Sequence, residues 1–283
     1  MKLFKNRTFL LFLPASIFLI IPFYGFIHAV IQSIGGEGLA HYEEILNSER
    51  FLSSVWFSIR TSGIATIVSI ILGLGFTKWF HPLLTKTSPR LMVWIPMLFP
   101  HFVWGYMVIL ILSETGWTAQ AFIAAGWLED TSHFPVWTRD PQGIGIIITY
   151  VWKEIPLVIL LLLPVYASIH PEYYALVDSL GGNAWHRFTT VDLPNLLPVL
   201  VESFLIIFSF TLAAYEVPAL IGTTFPEMIS VLGYEWFYGS SWEDRPLAFA
   251  AMVLTSLFLL GLTLISYYGL SRPKWRAMRG DRP

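Results

Sequence analysis

Residues 169 to 198 read IHPEYYALVDSLGGNAWHRFTTVDLPNLLP, a polar and basic island between two long apolar runs. Pro171 suits the first turn of a helix, the pair Gly181-Gly182 permits a left-handed turn, and Asn183 can cap a following helix. The expected product is a hairpin: a helix over 171 to 180, a glycine turn, and a second helix over 183 to 191 stopped by Leu193-Pro194. After the turn, Ala184, Trp185, Phe188, Val191 and Leu193 recur at spacings near three and four, the mark of a helix with one apolar face. The hairpin is too polar for lipid, so this face must bury against the rest of the chain, the bilayer surface or a soluble partner.

The surrounding chain is a membrane protein by composition. Its 283 residues are 55% hydrophobic and 13% charged, with a mean hydropathy of +0.63, where a soluble domain carries about 25% charge. Apolar runs at Phe9 to Ile31, Ser54 to Phe76, Met92 to Leu112, Ile144 to Ser168, Leu196 to Ile221 and Leu247 to Leu270 predict an all-α, polytopic fold with about six spans. The first run is too long for a cleaved signal peptide and lacks a small-x-small site, so it is read as a retained helix. One domain, 1–283, is expected: first span and outer loop over 1–50, a five-span core over 51–270 containing the 169–198 loop, and a basic tail over 271–283.

Several function classes are excluded. There is no cysteine, hence no disulfide, thiolate metal site or cysteine nucleophile. The seven histidines never pair at i, i+3 or i+4, which argues against zinc-protease chemistry. Neither G-x-x-x-x-G-K-[ST] nor G-x-S-x-G occurs. No catalytic residue, metal or cofactor is therefore expected, and no basic run suggests nucleic acid.

Charge segregates along the chain. With the N-terminus placed inside, the inner segments hold Lys2, Lys5, Arg7, Lys78, Lys86, Arg90, Arg187 and the tail residues Arg272, Lys274, Arg276, Arg279 and Arg282. The outer loops hold only Arg50, Arg139 and Arg245 among many acids. This positive-inside pattern puts both termini and the 169–198 hairpin in the cytoplasm. Inside the spans, Arg60 either faces a protein interior or wet cavity, or snorkels to the outer interface. Lys153 and Glu154 are adjacent, cannot face each other on a helix, and must each find another partner. Glu216, beside Tyr215 and before Pro218, either lines a path for a cationic solute or makes an interhelical or intersubunit contact. Gly73-Leu74-Gly75 and Gly143-Ile144-Gly145 read as sites of close helix packing.

The run Gly181-Gly182-Asn183-Ala184-Trp185-His186-Arg187-Phe188, then Val191-Asp192-Leu193-Pro194 and Pro198, resembles the cytoplasmic coupling loop of permease subunits in binding-protein-dependent ABC importers. Tyr150 to Lys153, Pro156, and Ala214 to Gly222 are also similar to that family, and Ala214 to Gly222 is similar to its polyamine, thiamine and ferric-iron branch. The family's loop Glu would fall at Ala175, so that carboxylate is missing, while Glu172 and Asp178 lie nearby out of register. The resemblance implies a type I importer permease fold and a set of partners: two cytoplasmic ATPase subunits, a second permease (homo- or heteromeric), an extracytoplasmic solute-binding protein, and membrane lipid. It also implies that Gly181 and Gly182 form the hinge, Trp185 and Phe188 enter the ATPase groove, Arg187 meets its acidic rim, and Leu193-Pro194 ends the element. Tyr215, Glu216 and Arg60 are the candidates for the translocation path. The rival classes are an ion-driven secondary transporter and a membrane-embedded haem or redox subunit.

Overall fold

A computed structural model describes residues 7–35, 38–239 and 241–270. Lys2, Lys5 and the basic tail from Arg272 to Arg282, part of the charge asymmetry above, lie outside the described residues. Among the described residues six helices are long and apolar enough to cross a membrane, and no strand occurs. The chain divides into two compact units, Met1–Leu52 with Leu232–Leu259, and Ser53–Val231 with Leu260–Pro283.

In the first unit, α1 (Arg7–Ile34) is followed by a short helix α2 (Ala40–Asn47). The two are tied by a hydroxyl pair, Ser33 to Tyr42 at 2.6 Å. Arg50 and Glu235 form an ion pair at 2.6 Å, and the rings of Phe51 and Trp236 stack beside it.

The second unit is built on α3 (Glu49–Leu84), whose 36 residues extend well past the apolar run that announced it. At about 1.5 Å per residue it is far longer than a ~30 Å hydrocarbon core, and its last turns carry Lys78 and His81. Ser54, Ser58, Ala65, Ser69 and Thr77 are fully buried on its packing side. Lipid is as apolar as leucine, so helices associate there by close packing and hydrogen bonds, which small residues permit. Ser58, Ser69 and Thr77 satisfy their hydroxyls on the carbonyl four residues back at 2.7 Å. Ser58 Oγ also accepts the backbone N–H of Ile229 at 2.7 Å, stitching α3 to the start of a helix remote in sequence.

Two further spans differ from their expected bounds. Met92 to Leu112 is not one helix: α4 (Thr87–Trp94) and a 3-10 turn (Ile95–Leu98) end at Phe99, and α5 (His101–Leu112) begins afresh. Pro100 forces this, because it disfavours helical backbone at the residue before it, and Phe99 is extended at φ −91°, ψ 137°. The crossing segment is instead His101–Ala124, which includes α6 (Trp117–Ala124). The fifth span, expected to reach Ile221, stops earlier: α10 (Leu193–Ala213) gives way at an extended Ala214 to a separate α11 (Glu216–Ile221). Between them in sequence lie α7 (Ile144–Ser168), α8 (Pro171–Ser179) and α9 (Ala184–Arg187), and α12 (Ile229–Tyr234) and α13 (Arg245–Leu270) complete the chain.

The two close-packing glycines of α3 separate clearly. A Cβ on Gly73 would lie 2.6 Å from the Val158 side chain on α7, whereas one on Gly75 meets nothing within 4 Å. Gly73→Ala is therefore expected to destabilise the unit by about 1–3 kcal/mol through overpacking. Gly75→Ala should be neutral or gain a few tenths of a kcal/mol from helix propensity, to about 1 kcal/mol at most. Thermal midpoints of the two variants in detergent check this, and equal midpoints would refute it.

Candidate functional site

The first helix, the glycine turn and the Asn183 cap form as the sequence directs, but the expected stop does not: Leu193-Pro194 opens α10 instead of ending the second helix, with Leu193 in helical backbone at φ −57°, ψ −44°, because proline is tolerated in the first turn of a helix. Pro171 opens α8, and α8 ends at Leu180, where Gly181 takes the left-handed conformation at φ +77° that glycine adopts without strain. Asn183 then caps α9, its side chain accepting from the backbone N–H groups of Trp185 and His186 at 3.0 Å, while His186 Nδ1 accepts from the Asn183 N–H. Pro194 has no N–H to return to the preceding turn, so a regular ladder cannot pass through it. The chain widens into a π turn, Phe188–Asp192, before α10 starts at Leu193.

The apolar residues of the hairpin point in two directions. Tyr173, Leu176 and Leu180 on α8 are exposed, and so is Trp185 at 67%. Phe188 is half-buried, its ring 5.8 Å from Trp185 on one side and 4.2 Å below the Lys78 ammonium on the other. An open recess of about 390 Å³ lined by Ile71, Leu74, Gly75, Lys78, Ala184, Trp185 and Phe188 marks this meeting of hairpin and α3. Arg187 is engaged within the hairpin: Nε and Nη2 donate to the two carboxylate oxygens of Asp178 at 2.6 Å each, a bidentate pair that spans the glycine turn.

The root of the hairpin is buried and polar. Asp192 is 4% exposed, accepts from the Tyr174 hydroxyl at 2.6 Å, and faces Lys78 Nζ at 3.5 Å. Burial, and then the hydrogen bond to Asp192, push the Tyr174 phenol well above its ordinary range, so it stays a donor. In the sequence Tyr174 did not stand out, Lys78 counted only as inner charge, and Asp192 only as part of the loop run. Only the continuation of α3 past its apolar run brings Lys78 to the hairpin.

The path candidates sit elsewhere in the same unit. Arg60 donates to Gln142 Oε1 at 3.0 Å and to the carbonyls of Pro141 and Gln142 at 3.3 and 2.9 Å, bracing the loop that enters α7. Asp140 caps that helix by accepting from the Ile144 N–H. Tyr215 and Glu216 lie at the break between α10 and α11, and the Glu216 side chain is exposed in the first turn of α11. Deeper in the same bundle, Lys153 and Glu154 each find a separate partner: Lys153 Nζ donates to the Pro96 carbonyl at 3.0 Å, and His101 Nε2 donates to Glu154 at 2.9 Å. His101 also lies 4.6 Å from the Phe210 ring, which brings α5, α7 and α10 together around Glu154. The sequence marked the Lys-Glu pair as needing partners but gave no means of naming them. Among the described residues no group of three metal-ligating side chains occurs.

Comparison with known proteins follows the same lines. A family model described as "Binding-protein-dependent transport system inner membrane component" matches residues 65–276. "Inner membrane ABC transporter permease protein YcjO" of Escherichia coli (strain K12) is 24% identical over 237 residues, covering 81% of this chain and 77% of that protein. "Putative ferric transport system permease protein FbpB 1" of Haemophilus influenzae is 25% identical over 244 residues, covering 84% of this chain and 37% of that protein. A solved bacterial ABC transporter involved in the import of the acidic polysaccharide alginate shares the fold, with a TM-score of 0.73 at 20% identity over 96% of this chain and 99% of that one.

The turn itself can be tested. A Cβ on Gly182 would meet the Val177 side chain and lie 2.8 Å from the Val177 carbonyl, which is fixed backbone. Gly182→Ala is expected to open the hairpin and to speed tryptic cleavage after Arg187 by about tenfold, corresponding to roughly 1.4 kcal/mol of local stability. Ser179→Ala, on the exposed end of α8, should leave the cleavage rate unchanged, and a Gly182→Ala chain cut no faster than wild type would contradict the turn geometry.

Proposed function

The chain belongs to the family of binding-protein-dependent transport system inner membrane components, and on that premise we propose that it is the permease subunit of an ATP-driven importer whose 169–198 hairpin is the lever for cytoplasmic ATPase subunits. The observation that carries this reading is the pair of opposed faces on the hairpin. Tyr173, Leu176, Leu180 and Trp185 are exposed large apolar groups on a polar element, and apolar groups so placed call for a partner. The far side of the same element is locked to α3 and α10 through Phe188, Lys78 and Asp192.

In this reading the Gly181 turn and the Arg187–Asp178 pair give the hairpin its shape, Trp185 seats in a groove of the ATPase, and Phe188 backs it from the α3 side. Leu193-Pro194 delivers the displacement into α10. Closure of two ATPase subunits on ATP, carried out by those partners, would shift this chain and a second permease subunit from inward-open to outward-open. An extracytoplasmic binding protein would then release solute between them. Both termini and the hairpin are cytoplasmic in this arrangement, in keeping with the charge asymmetry of the sequence.

For the solute, an exposed Glu216 at the α10–α11 break favours a cation, in the range of polyamine, thiamine or ferric iron. The ferric system named in one relative supports it, and the alginate system named in the structural neighbour does not. Arg60, held by the loop before α7, would shape the path from its side rather than bind solute directly.

The tagged chain, purified in mild detergent from its own host's membranes, is expected to bring down ATP-binding-cassette subunits identifiable by mass spectrometry, with ATPase activity in the eluate. Trp185→Asp should reduce that recovery at least about tenfold, because a charge cannot enter an apolar groove without strong desolvation, while membrane insertion persists. A chain that retains full ATPase recovery with Asp at 185 would overturn the docking face. A chain that transports alone in liposomes without ATPase would point to the secondary-transporter class.

A further inference from the structure

Asp192, Tyr174 and Lys78 come from three separate elements and meet at the joint where the hairpin runs into α10. The joint is the π turn Phe188–Asp192, a wide turn with looser backbone hydrogen bonding than the α-helix it interrupts. A lever with such a joint bends rather than transmits unless something outside the backbone stiffens it. The Asp192 carboxylate, 5% exposed, is placed to do so: Tyr174 on α8 donates to Oδ1 at 2.6 Å and Lys78 on α3 faces Oδ2 at 3.5 Å. Lys78 is further fixed by the Phe188 ring beneath its ammonium at 4.2 Å. A buried carboxylate that loses one partner is left poorly compensated, so the three groups hold one geometry far better than any alternative.

We propose that Asp192 is a positioning residue for coupling: with Lys78 and Tyr174 it latches the hairpin to α3, so that hairpin, π turn and the far end of α3 move as a single body. This rests on the reading of the hairpin as the ATPase lever and adds α3 to α10 as a recipient of its motion. The position is distinct from the docking face, since Asp192 is buried whereas Tyr173, Leu176, Leu180 and Trp185 are exposed.

The chain contains no cysteine, so an introduced pair is the only one in this chain that takes the label. Nitroxides at Ser179→Cys on α8 and Leu83→Cys on α3, both exposed positions, report the hairpin-to-α3 distance by double electron–electron resonance in nanodiscs. The otherwise wild-type chain should give one narrow distance, unchanged when the copurified complex is trapped with ATP and vanadate. Lys78→Met and Tyr174→Phe each remove one arm without emptying the buried site. Each should broaden the distribution about twofold and make its mean shift on trapping, while ATPase subunits are recovered at the wild-type level and the thermal midpoint holds. Lys78→Arg should restore the narrow distance, which a merely space-filling role for Lys78 would not require. Wild-type widths in both Lys78→Met and Tyr174→Phe, or a wild-type distance that itself shifts on trapping, would overturn the latch. Absence of ATPase subunits from the wild-type preparation would instead overturn the lever reading, so the two failures are told apart.

Discussion

A carboxylate withdrawn from water at the root of a surface hairpin is the interaction on which the arrangement of this chain's polar element turns. Taking Asp192 out of water costs several kcal/mol. One hydrogen bond to the charged group returns roughly 1.5–3 kcal/mol, and the Lys78 ammonium, about a third exposed at 35%, returns a screened attraction. The balance is near even, so the cluster matters less for total stability than for direction. Only one placement of α8 and the π turn against α3 satisfies all three groups. Once α8 is held through Tyr174, helical spacing leaves Tyr173, Leu176 and Leu180 facing away from the bundle, while Trp185 is exposed at the recess that the hairpin makes with α3.

The rest of the second unit obeys a complementary constraint, that hydrocarbon offers no hydrogen-bond partner and every interruption of a helix must be covered by protein. The break at Phe99 and Pro100 is covered this way: the Pro96 carbonyl beside it accepts from both Lys153 Nζ and the Trp104 indole, at 3.0 and 3.1 Å. The break at Ala214 is met by Ser230, whose hydroxyl donates to the Ala214 carbonyl at 2.7 Å. The entry to α7 is met by Arg60 and Asp140. Polar residues in the spans thus act first as partners for backbone freed by irregularity. The irregularities in turn put Glu216 and Tyr215 at a helix end, where a side chain can be presented rather than buried.

Much of this was legible in the residues. Six spans, the hairpin, its left-handed glycine and its Asn183 cap follow from apolar run lengths and from conformational preferences that are local, and local preferences survive into the fold. What was not legible is where hydropathy and helix part company. The apolar run of α3 ends near Phe76, but the helix continues through Lys78 to Leu84 because neither glycine nor proline stops it before Pro82. Ala214 ends α10 although alanine is the best helix former, so tertiary packing overrides propensity there. The meeting of Lys78 with Asp192 depends on the first of these departures and on a contact remote in sequence. The three-and-four spacing of Tyr173, Leu176 and Leu180 was present all along, but spacing gives a face and not the side on which the protein covers it.

Ala175 bears on how such a hairpin is held. The family resemblance sets a glutamate at that register, yet here a methyl group stands exposed on α8 with no polar contact of its own. Two other carboxylates flank it in space as ties. Asp178, one turn on, clasps Arg187 across the glycine turn with both oxygens, and Asp192 receives Tyr174 from the turn that contains Ala175 itself. The first tie is half-exposed and fixes the shape of the hairpin tip; the second is buried and fixes its root. Two anchors at opposite ends of a short element constrain its rotation as well as its position, which a single central carboxylate cannot do. On that mechanical ground an alanine at 175 is compatible with a stiff lever, and the stiffness resides in the pairs on either side of it.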